Sequence, residues 1–302
     1  MTSISSPAVL IEAFSSGAGT GNGASVVLLD RPLGSRTLQT LAASLRQSET
    51  AFALHWEKTW LLRWFSPTCE VDLCGHATLA TVVGLGHWGR LAPGSGVAFL
   101  TRSGQLEGSL DQHRPLHADV LLPSAGLNRG RIAPELQQRI ERRSGQPVIG
   151  YWNSPLGYHV AQLPSGADLE GMTGLAEELR GPERQGLVVM AGVDPSRADG
   201  PVLNGTRADY QLRFFAPGLG IPEDPVTGSA HALVAPYWLE QTGKQEVVGW
   251  QPSTRPGGMR CRRSCSGRIQ LHGTGHLLWD GILHYEAGQI VPAEWLRLLP
   301  DP

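Results

Sequence analysis

Apolar positions in this chain recur with two periods, and the switches between them mark out its elements. Residues 8–14 and 24–29 are short apolar runs of strand type, joined by the glycine-rich stretch 15–23. That stretch opens no helix, so it reads as a hairpin loop and only weakly as a phosphate cradle. Over 37–46 the spacing of Leu38, Leu41, Ala42 and Leu45 is helical, and it leads into a strand that begins at Glu49 and ends near Leu54. Residues 90–122 predict short strands and turns, 128–131 a crossover and 134–142 a polar helix. Strands are expected near 148–151, 158–163, 186–191 and 210–215, with a helix near 174–179. The pattern closes with an antiparallel meander of three strands, 258–265, 267–272 and 276–283, and a short helix at 292–299.

Two of these stretches repeat one another. Trp60-Leu61-Leu62-Arg63-Trp64-Phe65-Ser66-Pro67 matches Tyr210-Gln211-Leu212-Arg213-Phe214-Phe215-Ala216-Pro217 in its Leu-Arg-aromatic-Phe-small-Pro order. Each is followed by an acid, a glycine and an apolar run: Asp72-Leu73-Cys74-Gly75-His76-Ala77-Thr78-Leu79-Ala80 in the first, Glu223-Asp224-Pro225-Val226-Thr227-Gly228-Ser229-Ala230-His231 in the second. A repeat half a chain long is no solenoid. It predicts two similar domains, 1–127 and 128–285, with 286–302 packing back on the first. Each glycine-containing turn would open an apolar helix, and such a terminus attracts anions through its free N–H groups and its dipole. The two termini are expected to face each other across a cleft.

Composition narrows the partners. At 302 residues the chain has room for two domains, and 41% hydrophobic against 17% charged residues is an ordinary globular balance. A net charge of -2 offers nothing to nucleic acid or to an anionic membrane surface. The 38 glycines and 22 prolines favour a turn-rich α+β protein. The first 30 residues contain no Lys or Arg, so no secretory leader is expected, and the reading is cytoplasmic. The four cysteines, Cys69, Cys74, Cys261 and Cys265, fit no standard zinc spacing. Cys74 beside a helix terminus has two readings: a base or nucleophile of lowered pKa, or a small side chain packing a tight turn.

Ser48-Glu49-Thr50, the Asp72 to Leu79 motif and the Phe215 to Ala230 segment, together with Glu12-Ala13-Phe14 and Gly21-Asn22, resemble the PhzF family of phenazine-biosynthesis-like isomerases over nearly the whole chain. The resemblance implies a diaminopimelate epimerase-like α+β fold: two pseudo-symmetric domains, each a sheet around a central apolar helix, with the active site between them. It implies Glu49 as acid/base, His76 and Asp224 as supporting groups, and Ser229 at the second helix terminus. Gly75 and Gly228 would hold a substrate carboxylate through their amides, with Asn22 and Asp72 at the binding site. The reaction implied is a proton shift in a cyclic dihydro-hydroxyanthranilate-like acid, without metal, nucleotide or organic cofactor, in a homodimer. The chemistry is coherent: a desolvated carboxyl near a second acid can be tuned to give and take a proton. Two departures stand out. Gly23 occupies a position where the family usually has proline, and the second motif lacks the thiol that a two-cysteine racemase would set opposite Cys74. The alternatives are a Cys74-dependent amino-acid racemase and a non-catalytic small-acid-binding protein.

Overall fold

Strand β1 (Ser3–Ala13) and strand β2 (Asn22–Leu29) form an antiparallel hairpin in the computed structural model, which describes residues 3–196, 198–286 and 288–299. The loop between them turns at Gly21, where φ is +79° and an added Cβ would lie 2.6 Å from the Ala13 carbonyl oxygen, so glycine alone fits. Helix α1 (Ser35–Leu45) crosses to β3 (Glu49–Trp56), which lies parallel to β2. Then β4 (Thr59–Phe65) returns antiparallel to β3, and the two-residue β5 (Glu70–Val71) pairs back on β4. Helix α2 (Gly75–His87) follows, and β6 (Gly96–Thr101) comes out of it parallel to β4. Strands β7 (Gly104–Leu110) and β8 (His117–Leu122) complete an antiparallel run.

The chain continues through β9 (Asn128–Arg129), α3 (Pro134–Ser144), β10 (Gly150–Asn153), β11 (His159–Gln162), α4 (Leu175–Glu178), β12 (Leu187–Gly192) and a small ribbon, β13 (Val202–Leu203) with β14 (Thr206–Arg207). Next come β15 (Tyr210–Ala216), β16 (Ile221–Asp224), α5 (Gly228–Thr242), β17 (Glu246–Gln251), β18 (Gly257–Arg263), β19 (Ile269–Glu286) and α6 (Pro292–Leu296). The chain divides into two compact units, residues 1–122 with 272–302, and residues 123–271. The returning segment thus begins at His272, earlier than residue 286.

Within the first unit, β19 pairs antiparallel with β1 and also with β8, so the strands close on themselves around α2. Helix α2 is buried at every residue from Gly75 to Leu85. A helix apolar on all sides is stable only inside such an enclosure. The expected meander is corrected here: residues 269–286 form one 18-residue strand rather than two. The glycines read as turns instead let the strand pass close to α2. A Cβ on Gly275 would approach Val83 to 2.9 Å and Ile11 to 3.0 Å. A second apolar layer, including Leu38, Phe52, Leu61 and Phe65, packs outside the sheet under α1 and is covered by Trp295 of α6.

The second unit repeats this topology. Strand β12 pairs antiparallel with β15, β15 antiparallel with β16 and parallel with β17, and β17 antiparallel with β18, the same sequence of pairings as β3, β4, β5, β6 and β7. The Leu-Arg-aromatic-Phe repeat has a physical cause in both units. Arg63 grips Glu70 through Nε and Nη2 at 2.7 and 2.8 Å, and Arg213 grips Glu223 in the same way at 2.6 and 2.6 Å. Each guanidinium lies 5.2 Å from the ring of the phenylalanine two residues on, Phe65 or Phe215. A buried arginine is tolerated because a bidentate carboxylate meets its planar fork.

Candidate active site

Glu49 is the first residue of β3 and His76 the second of α2, and the parallel pairing of β2 with β3 brings Asn22 and Ser48 beside them. The four side chains form one network. Ser48 Oγ donates to Asn22 Oδ1 at 2.6 Å, which turns Asn22 Nδ2 toward His76 Nδ1 at 3.3 Å. His76 Nε2 lies 3.2 Å from Glu49 Oε2 and 3.5 Å from Ser48 Oγ. In the neutral ring Nδ1 accepts from Asn22, which leaves the proton on Nε2, aimed at Glu49. With both nitrogens protonated, Nδ1 has the Cys74 sulfur, 3.5 Å away, as an acceptor. Asn22, His76, Cys74 and Glu49 are all buried, with exposures of 1%, 5%, 6% and 8%.

Burial opposes a charge on His76, but the Cys74 sulfur and the Glu49 carboxylate outweigh it and hold the ring well above the ordinary histidine range. Burial pushes the Cys74 thiol up, with the His76 charge pulling the other way. Burial thus moves the Cys74 thiol, at the N-cap of α2, away from the lowered pKa that the nucleophile reading asks for. Ligand atoms of Glu49, Cys74 and His76 lie within 4.8 Å of one another, a donor set that could accept a metal ion.

The N-cap of α2 makes no side-chain capping bond; Thr78 Oγ1 donates instead to the Cys74 carbonyl at 2.5 Å. Asp72 points elsewhere: its carboxylate pairs with Arg102 at 3.1 Å and is 68% exposed. Glu12 is buried and accepts from the Gly19 amide at 2.9 Å, which fastens the 15–21 loop beside Asn22.

The second unit carries its own polar cluster at the start of α5. Asp224 ends β16, buried, and accepts from Thr227 Oγ1 at 2.6 Å. Gln251 closes the set: its Nε2 donates to the Asp224 carbonyl at 2.6 Å and its Oε1 accepts from the Thr227 amide at 2.9 Å. Thr227 is the N-cap of α5, yet its hydroxyl is spent on Asp224 rather than on the helix. Gly228 opens the helix, and Ser229 Oγ meets Tyr158 Oη at 3.2 Å. Thr227 thus stands where Cys74 stands in the first unit, so the second N-cap has no thiol.

Ser48, Gln251 and Tyr158 enter these clusters without having been singled out in the sequence, whereas Thr227 stood in the second motif. Ser48 stood next to Glu49 in a quoted motif, the nearest thing to a signal. Nothing local marks Gln251 or Tyr158, since each reaches its partners only through sheet pairing.

Comparison with known proteins agrees with the fold. The family model for phenazine biosynthesis-like proteins, PhzC-PhzF, matches residues 11–121 and 193–281. An uncharacterized isomerase of Pseudomonas aeruginosa is 34% identical over 271 residues, covering 90% of this chain and 95% of its own. The crystal structure of a PhzF-family phenazine biosynthesis protein from Enterococcus faecalis superposes with a TM-score of 0.76 at 28% identity, over 93% of this chain and 99% of the other. A hydroxyproline epimerase of Agrobacterium vitis shares the fold alone, with a TM-score of 0.61 at 10% identity over 97% and 98% of the two chains. The fold is α+β and diaminopimelate epimerase-like, and the chain belongs to the phenazine biosynthesis-like (PhzC-PhzF) family of isomerases.

Proposed function

We propose that the protein catalyses a proton shift within a small carboxylated, cyclic substrate of the dihydro-hydroxyanthranilate type, with Glu49 as the acid/base. The observation that carries this reading is the buried His76–Glu49 contact, 3.2 Å from Nε2 to Oε2, with the ring held from behind by Asn22. A proton on that line can sit on either partner. Resting on His76 it leaves Glu49 a base; moved onto the carboxyl it makes Glu49 an acid. Abstraction from one carbon and delivery to another then needs no group beyond this pair and asks for no cofactor. The same reading gives a substrate carboxylate to the uncapped amides that open α2 at Gly75, beside His76, and takes Gly228, which opens α5, as the matching anion position of the second unit. Asp224 and Ser229 are assigned supporting roles, and the homodimer is carried over from the family resemblance, to be checked by light scattering.

The test separates this from a thiol-based racemase. Glu49→Gln keeps the size and much of the hydrogen bonding but cannot cycle a proton, and a lost general acid/base costs about 10²–10⁴-fold in rate. Cys74→Ser leaves most of the activity. Turnover is measured on a panel of cyclic and amino-acid carboxylates. A fully active Glu49→Gln enzyme, with Cys74→Ser dead, would reverse the assignment.

A further inference from the structure

The internal duplication allows each unit to be compared with the other, and at one position the two put different side chains in the same place. In the first unit Glu49 precedes Thr50, the cross-strand partner of Phe65, and its parallel neighbour on β2 is Ala24. In the second unit Gly186 precedes Leu187, the partner of Phe215. Because His159 pairs with Leu187, the neighbour of Gly186 is Tyr158, just ahead of β11. The repeat therefore sets Gly186 where Glu49 stands and Tyr158 where Ala24 stands, so the large and the small residue have changed strands. A Cβ on Gly186 would lie 2.5 Å from Tyr158 Cδ1, and the tyrosine ring fills the space into which a side chain from that position would grow. The Phe214 ring packs against it, with centroids 4.8 Å apart. The polar ends arrive at matching points. Glu49 Oε2 lies 3.2 Å from Nε2 of His76, the second residue of α2. Tyr158 Oη lies 3.2 Å from Oγ of Ser229, the second residue of α5.

We infer that Tyr158 is a substrate-binding residue, the second unit's counterpart of Glu49, and that it hydrogen-bonds a carboxylate oxygen of the substrate rather than moving a proton between carbons. This rests on the roles given to Ser229 and the start of α5 under the proposed function. The chemistry of the two pairs differs for a physical reason. Glu49 and His76 join a carboxyl to an imidazole, and a proton can rest on either. Tyr158 and Ser229 join two hydroxyls, a phenol and an aliphatic alcohol, groups that give and accept hydrogen bonds without ionising near neutral pH. Such a pair can hold an oxygen but has no base with which to take a proton from carbon. Beside the Gly228 amide, the position of the second unit already given to an anion, the oxygen it holds is a carboxylate's. Tyr158 and Ser229 are both partly exposed, whereas Glu49 and His76 are buried, so the hydroxyl pair is within reach of a ligand. The two units thus divide the work, one carrying the proton and the other recognising the acid.

The experiment is a calorimetric titration of the full chain with 3-hydroxyanthranilate, in wild type, Tyr158→Phe, Ser229→Ala and the double variant. Tyr158→Phe keeps the ring against Phe214 and removes only the hydroxyl, and affinity should fall about tenfold. Ser229→Ala should cost a similar factor, and the double variant less than the product of the two, because the hydroxyls act as one unit. In turnover on the panel of carboxylates, Tyr158→Phe should raise KM with little change in kcat or in its pH dependence, where Glu49→Gln loses kcat. A loss of kcat in Tyr158→Phe as deep as that of Glu49→Gln would make the phenol a proton carrier and overturn the binding role. Wild type that binds the acid, with affinity unchanged in Tyr158→Phe, overturns the inference and leaves the role of Glu49 untouched. Wild type that fails to bind the acid overturns the proposed substrate class, and the inference with it.

Discussion

At the scale of single residues, the proposed chemistry depends on how His76 is held. Ser48→Ala removes the hydroxyl that donates to Asn22 Oδ1 and so weakens the hold on the amide that sets the His76 tautomer. Ser48 is a positioning residue, and the expected result is about tenfold lower kcat with KM little changed, restored in Ser48→Thr, which keeps the hydroxyl. The raised pKa of His76 gives a second prediction, through linkage. Its folded value stands above the unfolded one, about 6.5, so the folded state binds the proton more tightly. That stabilisation is present in full below about pH 6.5 and is lost as pH rises through the folded value. In urea unfolding, the stability difference between wild type and His76→Asn should therefore be larger at pH 6 than at pH 9. A difference that grows with pH would mean the ring is neutral in the folded protein.

At the scale of elements, the two arginine forks clamp each short strand, β5 or β16, to the strand before it. Removing one partner of a buried pair leaves a charge without compensation, at a cost of about 3–5 kcal/mol. Arg213 is only 1% exposed, so Arg213→Met should fall in that range by denaturant unfolding, with Glu223→Gln close behind. The double variant should cost less than the sum, because the second change removes the charge that the first left unpaired. Beyond stability, β16 ends at Asp224 and leads directly into the α5 terminus, so loosening it also loosens the Asp224–Thr227–Gln251 set. For the helix terminus itself, Gly228→Val adds bulk at the first residue of α5 and should weaken the binding of a substrate-like carboxylate about tenfold or more in calorimetry, with the fold retained.

At the scale of the whole molecule, each central helix carries a buried histidine near its start, at positions that are not equivalent in the repeat, and the two behave oppositely. His231 is fully buried in α5, with Nδ1 2.8 Å from Tyr210 Oη, and burial brings its pKa down to about 3. Between about pH 6.5 and 3 the unfolded chain takes up a proton that the folded chain refuses, so stability falls as pH falls, by up to about 1.4 kcal/mol per pH unit from this group. In His231→Leu the lost Tyr210 bond lowers stability by a constant amount, and the acid slope in that window should be shallower than in wild type. No helix of the described residues is long and apolar enough to cross a membrane.

Much of this was legible along the chain because it is encoded locally. The strand and helix periods at 24–29, 37–46, 134–142 and 210–215, the Leu-Arg-aromatic-Phe repeat and the two glycine-opened apolar helices follow from backbone sterics and the burial of one face or all faces. Glu49, His76 and Asp224 were marked instead by the family resemblance of the motifs that carry them. What local pattern cannot carry is pairing at a distance. The residues that Arg63 and Arg213 hold, the link from Ser48 through Asn22 to His76, and the service of Gln251 to Asp224 all depend on which strands lie side by side. That choice is made by closing the sheet around a helix that must be buried on every side. The same closure turned an expected meander into the single strand β19, because its glycines were needed for passage against α2 rather than for turns. The missing thiol of the second motif was legible beforehand, whereas only the fold shows the Thr227 hydroxyl there spent on Asp224 and its amide on Gln251, a residue brought in by β17.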